Sequence, residues 1–137
     1  MLLIFAEKKE DATYTKISSC LQYHLGAWVV LFPNHFFTLV GMEPLNHPLV
    51  WQGMGMVIGV YGIGYWLASY APIRHWPIVF VGFLGKIFGP AGFVLNYFLG
   101  KLPGAFGYML ITNDLIWWIP FVGILLAVHR AGWPLRE

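Results

Sequence analysis

Apolar residues in this chain come in long unbroken runs, without the alternation of a half-buried strand or the single apolar stripe of a surface helix. Four runs of about 20 residues, the length that crosses a hydrocarbon core of about 30 Å, occupy 21–41, 49–70, 77–99 and 107–129. Three short breaks separate them: Glu43-Pro44-Leu45-Asn46-His47-Pro48, Ala71-Pro72-Ile73-Arg74-His75 and Gly100-Lys101-Leu102-Pro103-Gly104. Each break is rich in residues that stop helices or make turns. Barrel strands would be half as long and would alternate apolar with polar. The pattern therefore predicts an all-α, integral membrane, up-down four-helix bundle, with sequential runs as antiparallel neighbours.

Composition agrees with lipid as the solvent: of 137 residues 58% are hydrophobic and only 10% charged, against about 25% charged in a soluble domain. The net charge is +2, with no basic run, so nucleic acid is excluded as a partner. The single Cys20 excludes an internal disulfide and a Cys-x-x-Cys pair. The apolar stretch 1–6 is too short for a signal peptide and runs straight into Glu7, Lys8, Lys9, Glu10 and Asp11. Residues 1–20 read as a cytoplasmic N-terminal segment and 21–137 as the four-helix transmembrane domain. In the former, Tyr14 and Ile17 share one helical face with Leu21, as in a helix lying at the interface or extending the first span.

Four spans put both termini and the second break on one side, which collects Lys8, Lys9, Lys16, Arg74, Arg130 and Arg136 and leaves Lys101 on the other. The positive-inside rule makes that side cytoplasmic, so both termini are expected inside. Trp51, Trp76 and Trp133 fall at span ends, where amphipathic rings sit.

Packing in lipid depends on close backbone approach through small residues. Gly55, Gly59 and Gly62 form one stripe, and Gly82, Gly85, Gly89 and Gly92 another, so the second and third spans are expected to touch through them. Pro33, Pro90 and Pro120 lie inside spans, where each removes a backbone donor and kinks its helix.

Charges inside a span cost several kcal/mol and mark functional candidates. Lys86 sits in the middle of the third span; Asp114 lies about two turns into the fourth, after Thr112 and Asn113; His35 lies at matching depth in the first, beside Asn34. Folding the last two spans about Pro103 puts Asp114 level with Gly92 and Lys86 about 9 Å deeper, which strains a direct pair. His35 with Asp114 is the better geometric match, with Asn34, Asn113, Asn96 and Thr38 as partners and Gln52 at the rim. This polar pocket would bind a ligand or relay a proton. The alternative is a purely structural contact, with Lys86 snorkelling to the interface or bonding carbonyls freed by Pro90. Trp117 and Trp118 cannot point the same way on one helix, so one ring faces lipid; Tyr61 and Tyr65 either pack or offer a hydroxyl to Lys86. No spacing signal for zinc, di-iron, covalent haem, P-loop, dinucleotide or nucleophile-elbow chemistry occurs, and the sequence names no cofactor.

The stretches GIGYWLASYAPIRHWP (62–77), VGFLGK (81–86) and TNDLIWWIPF (112–121) resemble a group of small uncharacterised bacterial four-helix membrane proteins, similar in layout to the wider DoxX-like superfamily, which implies a location in the bacterial inner membrane. The resemblance covers about residues 50–125 and leaves 1–20 outside. It implies accessory subunits of membrane redox or oxidative-stress complexes. Cys20, the only thiol, has no resolving partner in the chain for peroxide chemistry. The leading expectation is a noncatalytic accessory or assembly subunit, partnered by the bilayer, by a second membrane protein or a further copy of itself, and by a lipophile such as a quinone. The alternatives are a small transporter or proton conductor using His35, Lys86 and Asp114, and a membrane enzyme using His35 and Asp114 as an acid-base pair.

Overall fold

The computed structural model describes residues 2–133, with side chains from residue 11 onward. Of the basic residues that set the expected orientation, the side chains of Lys8 and Lys9, and Arg136 altogether, lie outside the described residues. The architecture is all helical, with no strand among the described residues: α1 (Leu2–Leu31), α2 (His35–Leu39), α3 (Pro48–Ala68), α4 (Trp76–Phe98), α5 (Gly107–Asn113) and α6 (Trp118–Arg130). Tight 3₁₀ turns at Gly104–Phe106 and Leu115–Trp117 precede α5 and α6. The helix starts obey local rules: Pro48 opens α3 and Pro77 lies in the first turn of α4, positions where the missing N–H would have no partner anyway. Gly41 and Gly100 end α2 and α4 at φ of +73° and +69°. At Gly100 the N–H bonds Tyr97 O (3.0 Å) and the Lys101 N–H bonds Asn96 O (2.9 Å), a cap that requires the left-handed conformation glycine adopts without strain.

Two of the four expected runs keep their bounds in one helix, as α3 and α4. The other two are interrupted. Helix α1 runs without a break from Leu2 and stops at Leu31, because Pro33 gives Val29 O no N–H. Gln52 Nε2 takes the neighbouring Val30 O (2.8 Å), so this glutamine closes a helix end and does not rim a pocket. The N-terminal residues thus extend the first helix. The fourth run breaks at Asp114, whose φ of −119° and ψ of −59° lie outside the helix. Pro120, in the first turn of α6, accounts for the restart, since a proline there costs no hydrogen bond.

Helix α1 packs along α3, and α4 packs on α3 and α6. The glycine stripes do not meet each other as expected. Gly55, Gly59 and Gly62 face α1: a Cβ on Gly26 would stand 2.7 Å from Gly55 O and 2.8 Å from Gly59 N, and one on Gly62 would stand 3.2 Å from Ser19 O. Ser19 Oγ donates to Gly62 O (2.8 Å) in the same seam. Gly82 instead receives the ring of Tyr65, and Gly89 the carboxylate of Asp114. The glycine periodicity identified the small faces correctly but not their neighbours: α1 brings Ser19, Tyr23, Gly26 and Val29 to the contact.

The apolar core gathers Tyr65, Ala68, Val79, Trp117, Phe121, Ile124 and Val128, where the end of α3, the start of α4 and the length of α6 converge. At the other end an aromatic cluster pins α2 down: Phe36 lies 5.1 Å from Phe106 and Phe37 5.1 Å from Trp51, ring to ring. Two segments, Trp76–Phe98 (23 residues) and Gly104–Arg130 (27 residues), are long and apolar enough to cross a membrane. Only 17% of the most apolar stretch of the first and 28% of the second is buried, so their side chains mostly face outward, unlike the core helix of a soluble fold.

Candidate functional site: a polar cluster at a helix break

Two backbone defects face each other. Helix α4 passes through Pro90 unbroken, and the carbonyl that a residue-90 N–H would bond, four residues earlier, belongs to Lys86. Trp118 supplies the missing donor: its indole N–H bonds Lys86 O at 2.9 Å. Opposite, the α5–α6 break makes the Trp117 N–H bond Asp114 O (3.1 Å), leaving Asn113 O without the helical partner it would otherwise have. Lys86 Nζ donates to that carbonyl at 2.5 Å. A cation at the C-terminal carbonyls of a helix is favourably placed.

Around the ammonium the site is closed. Lys86 Nζ lies 3.9 Å from Asp114 Oδ1 and 5.8 to 5.9 Å from the ring centroids of Tyr65, Trp117 and Phe121, within cation–π range. Lys86 is 3% exposed and Asp114 6%. A second chain of bonds reaches the carboxylate from α1: Gln22 Nε2 donates to Asn113 Oδ1 (2.8 Å), and Asn113 Nδ2 donates to Asp114 Oδ1 (3.1 Å). Helices α1, α3, α4, α5 and α6 all contribute, and the Gln22, Lys86 and Asn113 side chains all donate to Asn113 or Asp114. A buried pair of this kind holds its helices in one register, and removing either member leaves an uncompensated charge.

The expected partners divide sharply. Lys86, Asp114 and Asn113 come together; His35, Asn34 and Asn96 do not join them. Asp114 pairs with Lys86 and not with His35, reversing the expectation, because the break and the long lysine stem close the depth difference. His35 Nδ1 accepts from the Trp28 indole N–H (3.0 Å) and lies edge-on to Trp28 and Phe32, in a shallow recess with Pro33 and Asn34. Asn34 Oδ1 holds the Leu45 N–H (3.2 Å), Asn96 bonds its own helix at Gly92 O (2.8 Å), and Thr38 does the same at Asn34 O. Neither lysine alternative describes Lys86: it does not snorkel, and the carbonyl Pro90 frees is its own. Tyr65 turns its ring toward the ammonium, Trp117 is buried and Trp118 is more than a third exposed, which agrees with the two rings pointing apart.

Gln22 and Trp118 have roles the sequence reading did not assign. For Trp118 the signal was present, since Pro90 names the orphaned carbonyl by arithmetic. For Gln22 it was the polar residue itself at the foot of the first run. Among the described residues no three His, Cys, Asp or Glu side chains converge on a metal position.

The site thus defines the protein as a helical bundle organised around a buried ion pair at a discontinuous helix. Compared with known protein families, curated proteins and solved structures, the chain matches none.

Proposed function

We propose that the chain is an integral protein of the bacterial inner membrane, crossing it four times with both termini cytoplasmic, and that it serves as a noncatalytic accessory or assembly subunit of a membrane complex, a redox complex of the kind the DoxX-like resemblance implies. One observation carries this reading: the molecule is inverted relative to a soluble protein. Its charged pair is buried and bonded inside, while Ile119 is 83%, Phe98 81%, Leu49 79% and Phe88 67% exposed. Such surface requires lipid or apolar partners. The side-chain amides, ammonium and carboxylate of the polar cluster bond one another, which favours a clamp over a catalytic centre. An apolar groove of about 830 Å³ between α4 and α5, lined by Ile87, Pro90, Phe93, Tyr108 and Trp118 among others, suits a lipophile such as a quinone.

Native mass spectrometry of protein extracted gently from its own membrane tests the proposal. A reproducible companion subunit or lipophilic adduct is expected; a clean monomer or homo-oligomer free of both refutes the accessory reading. A second reading, a proton conductor, is favoured by the 3.9 Å Lys86–Asp114 pair at a helix discontinuity, an arrangement found at ion and proton sites of transporters. It now rests on Lys86 and Asp114 without His35. The acid-base enzyme reading loses its pair, because His35 is held by Trp28.

A further inference from the structure

The buried face of α1 below Gln22 is polar. Thr15, Ser18, Ser19 and Gln22 are 0 to 4% exposed, and Thr15, Ser18 and Gln22 repeat at helical spacing along one face over about 10 Å. A stripe of hydroxyls is costly to bury against lipid-span helices unless each is bonded. Thr15 bonds Asp11 O and Ala12 O on its own helix, and Ser19 bonds Gly62 O. Ser18 Oγ is fully buried and has no protein partner.

The α5–α6 segment, which meets α1, carries a second unpartnered group. Gln22 meets Asn113 directly, and α1 runs against the direction of the α5–α6 segment. A groove of about 600 Å³ lined by Asp11, Tyr14 and Ile17 of α1 and by Ile116, Trp117, Gly123 and Ala127 of the facing segment agrees with this register. One turn from the Gln22–Asn113 bond therefore brings Ser18 level with Trp117. The Trp117 indole N–H is buried and unbonded, and its ring lies 5.9 Å from Lys86 Nζ. A hydroxyl and an N–H stranded at about one level, the latter on a ring whose face meets an ammonium, are polar groups of the kind internal water bonds. Trp51 and Trp76 also have unbonded indoles, but each sits in the first turn of its helix.

We propose that Thr15, Ser18 and Gln22 line a hydrated track, with water bound between Ser18 and Trp117, through which Asp114 exchanges protons with the side of the membrane where α1 begins. The track opens at the groove where Asp11 and Tyr14 meet α6 and ends at the carboxylate, so access is one-sided. A proton arriving on Asp114 neutralises the carboxylate and leaves the Lys86 ammonium bonded to Asn113 O, which unpairs the ion pair without unfolding the break. The proposal rests on the membrane reading above and is tested separately from it.

The full chain is reconstituted in lipid nanodiscs at acid pH, and the Asp114 carboxylic band is identified in the infrared by its loss in Asp114→Asn. Exchange of that proton for deuterium is then timed. A Ser18→Cys variant in a Cys20→Ala background is compared with Val29→Cys, buried in the α1–α3 seam, for reaction with a small cationic methanethiosulfonate. Because only a hydrated thiol ionises, the Ser18→Cys rate is expected to exceed the Val29→Cys rate by about tenfold or more. Attachment of the reagent, or Ser18→Val, should slow Asp114 exchange by a similar factor. Labelling no faster than at Val29→Cys, or Asp114 exchange unchanged by blocking Ser18, overturns the proposal. Should Ser18→Val fail to fold, the labelled cysteine variant still decides. Alkaline extraction of the native membranes reports the membrane reading by itself: release of the protein refutes that reading and leaves both hydration readouts standing.

Discussion

Gly26, which lies outside both glycine stripes, should not tolerate a side chain, whereas Gly59, which lies within one of them, should accept alanine. An alanine at Gly26 puts its Cβ 2.7 Å from Gly55 O, 2.8 Å from Gly59 N and 3.0 Å from Gly59 Cα. All three obstacles are backbone, so no rotamer change relieves them and α1 must move off α3. That movement stretches two bonds across the seam, Ser19 to Gly62 O and Gln52 to Val30 O, both 2.8 Å. Overpacking costs about 1–3 kcal/mol and weakening the two bonds about 0.5–1.5 kcal/mol each, against about 1 kcal/mol gained from the better helix former. The net expectation for Gly26→Ala is a loss of about 3 kcal/mol. A Cβ on Gly59 meets nothing within 4 Å, so Gly59→Ala should be neutral or gain up to about 1 kcal/mol. Equilibrium unfolding in mixed micelles, followed by tryptophan fluorescence, measures both. Equal losses, or a larger loss at Gly59, would show that the α1–α3 seam is not the close contact described.

Four further outcomes are expected. Gly55→Ala meets the Val29 side chain at 2.7 Å and the Gly26 carbonyl oxygen at 3.0 Å, so Val29→Ala should recover part of its loss and not all of it, as unfolding of the double variant would show. Trp118→Phe strands Lys86 O and should cost about 1–2 kcal/mol, but little in a Pro90→Ala background where the restored N–H takes that carbonyl; additive losses would contradict the bonding scheme. Lys86→Met and Asp114→Asn should each destabilise by about 3–5 kcal/mol and together by clearly less than the sum, with additivity in the double-mutant cycle refuting the pair. Gly89→Ala, whose Cβ would stand 3.2 Å from Asp114 Oδ2, should disturb the carboxylate and weaken the Asn113–Asp114 bond, visible as a shift in the Asn113 side-chain amide resonance.

Helix positions were legible wherever a run of apolar residues is bounded by proline and glycine, as at Pro48, Pro77 and Gly100, because helix ends are decided locally. The division of the fourth run was half legible: Pro120 and the poor helix formers Asn113 and Asp114 mark a weak point, but whether a weak point kinks or breaks depends on what will bond the freed groups. Pairing was less legible still. Depth counted from Pro103 put Asp114 level with Gly92, whereas its carboxylate lies against Gly89. The 3₁₀ turn at Gly104–Phe106 rises faster per residue than an α-helix, and the four-carbon stem of Lys86 spans much of the rest. His35 was misassigned because Pro33 ends α1 before it, which moves its ring out of the helix stack toward Trp28. Small-residue stripes failed for a related reason: periodicity shows where a backbone can be approached, and only the neighbour shows by what.

The two backbone defects repair each other. Pro90 strands the carbonyl of Lys86, and the break at Asp114 strands the carbonyl of Asn113; Trp118 from beyond the break bonds the first and the Lys86 side chain bonds the second. Each defect alone would leave a polar group unsatisfied in an apolar setting, a cost of several kcal/mol in lipid, so neither interruption is stable unless α4 and the α5–α6 segment are in register. The ion pair adds charge to a lock that backbone geometry already makes. It follows that neutralising Asp114 by a proton removes only part of the lock: the Lys86–Asn113 and Trp118–Lys86 bonds persist, while Asn113 is freed to exchange its amide bond to the carboxylate and, through Gln22, to loosen α1. On the proposed proton exchange at Asp114, the break would stay closed while the α1 contact, carried by Gln22 and Asn113, responds to the charge.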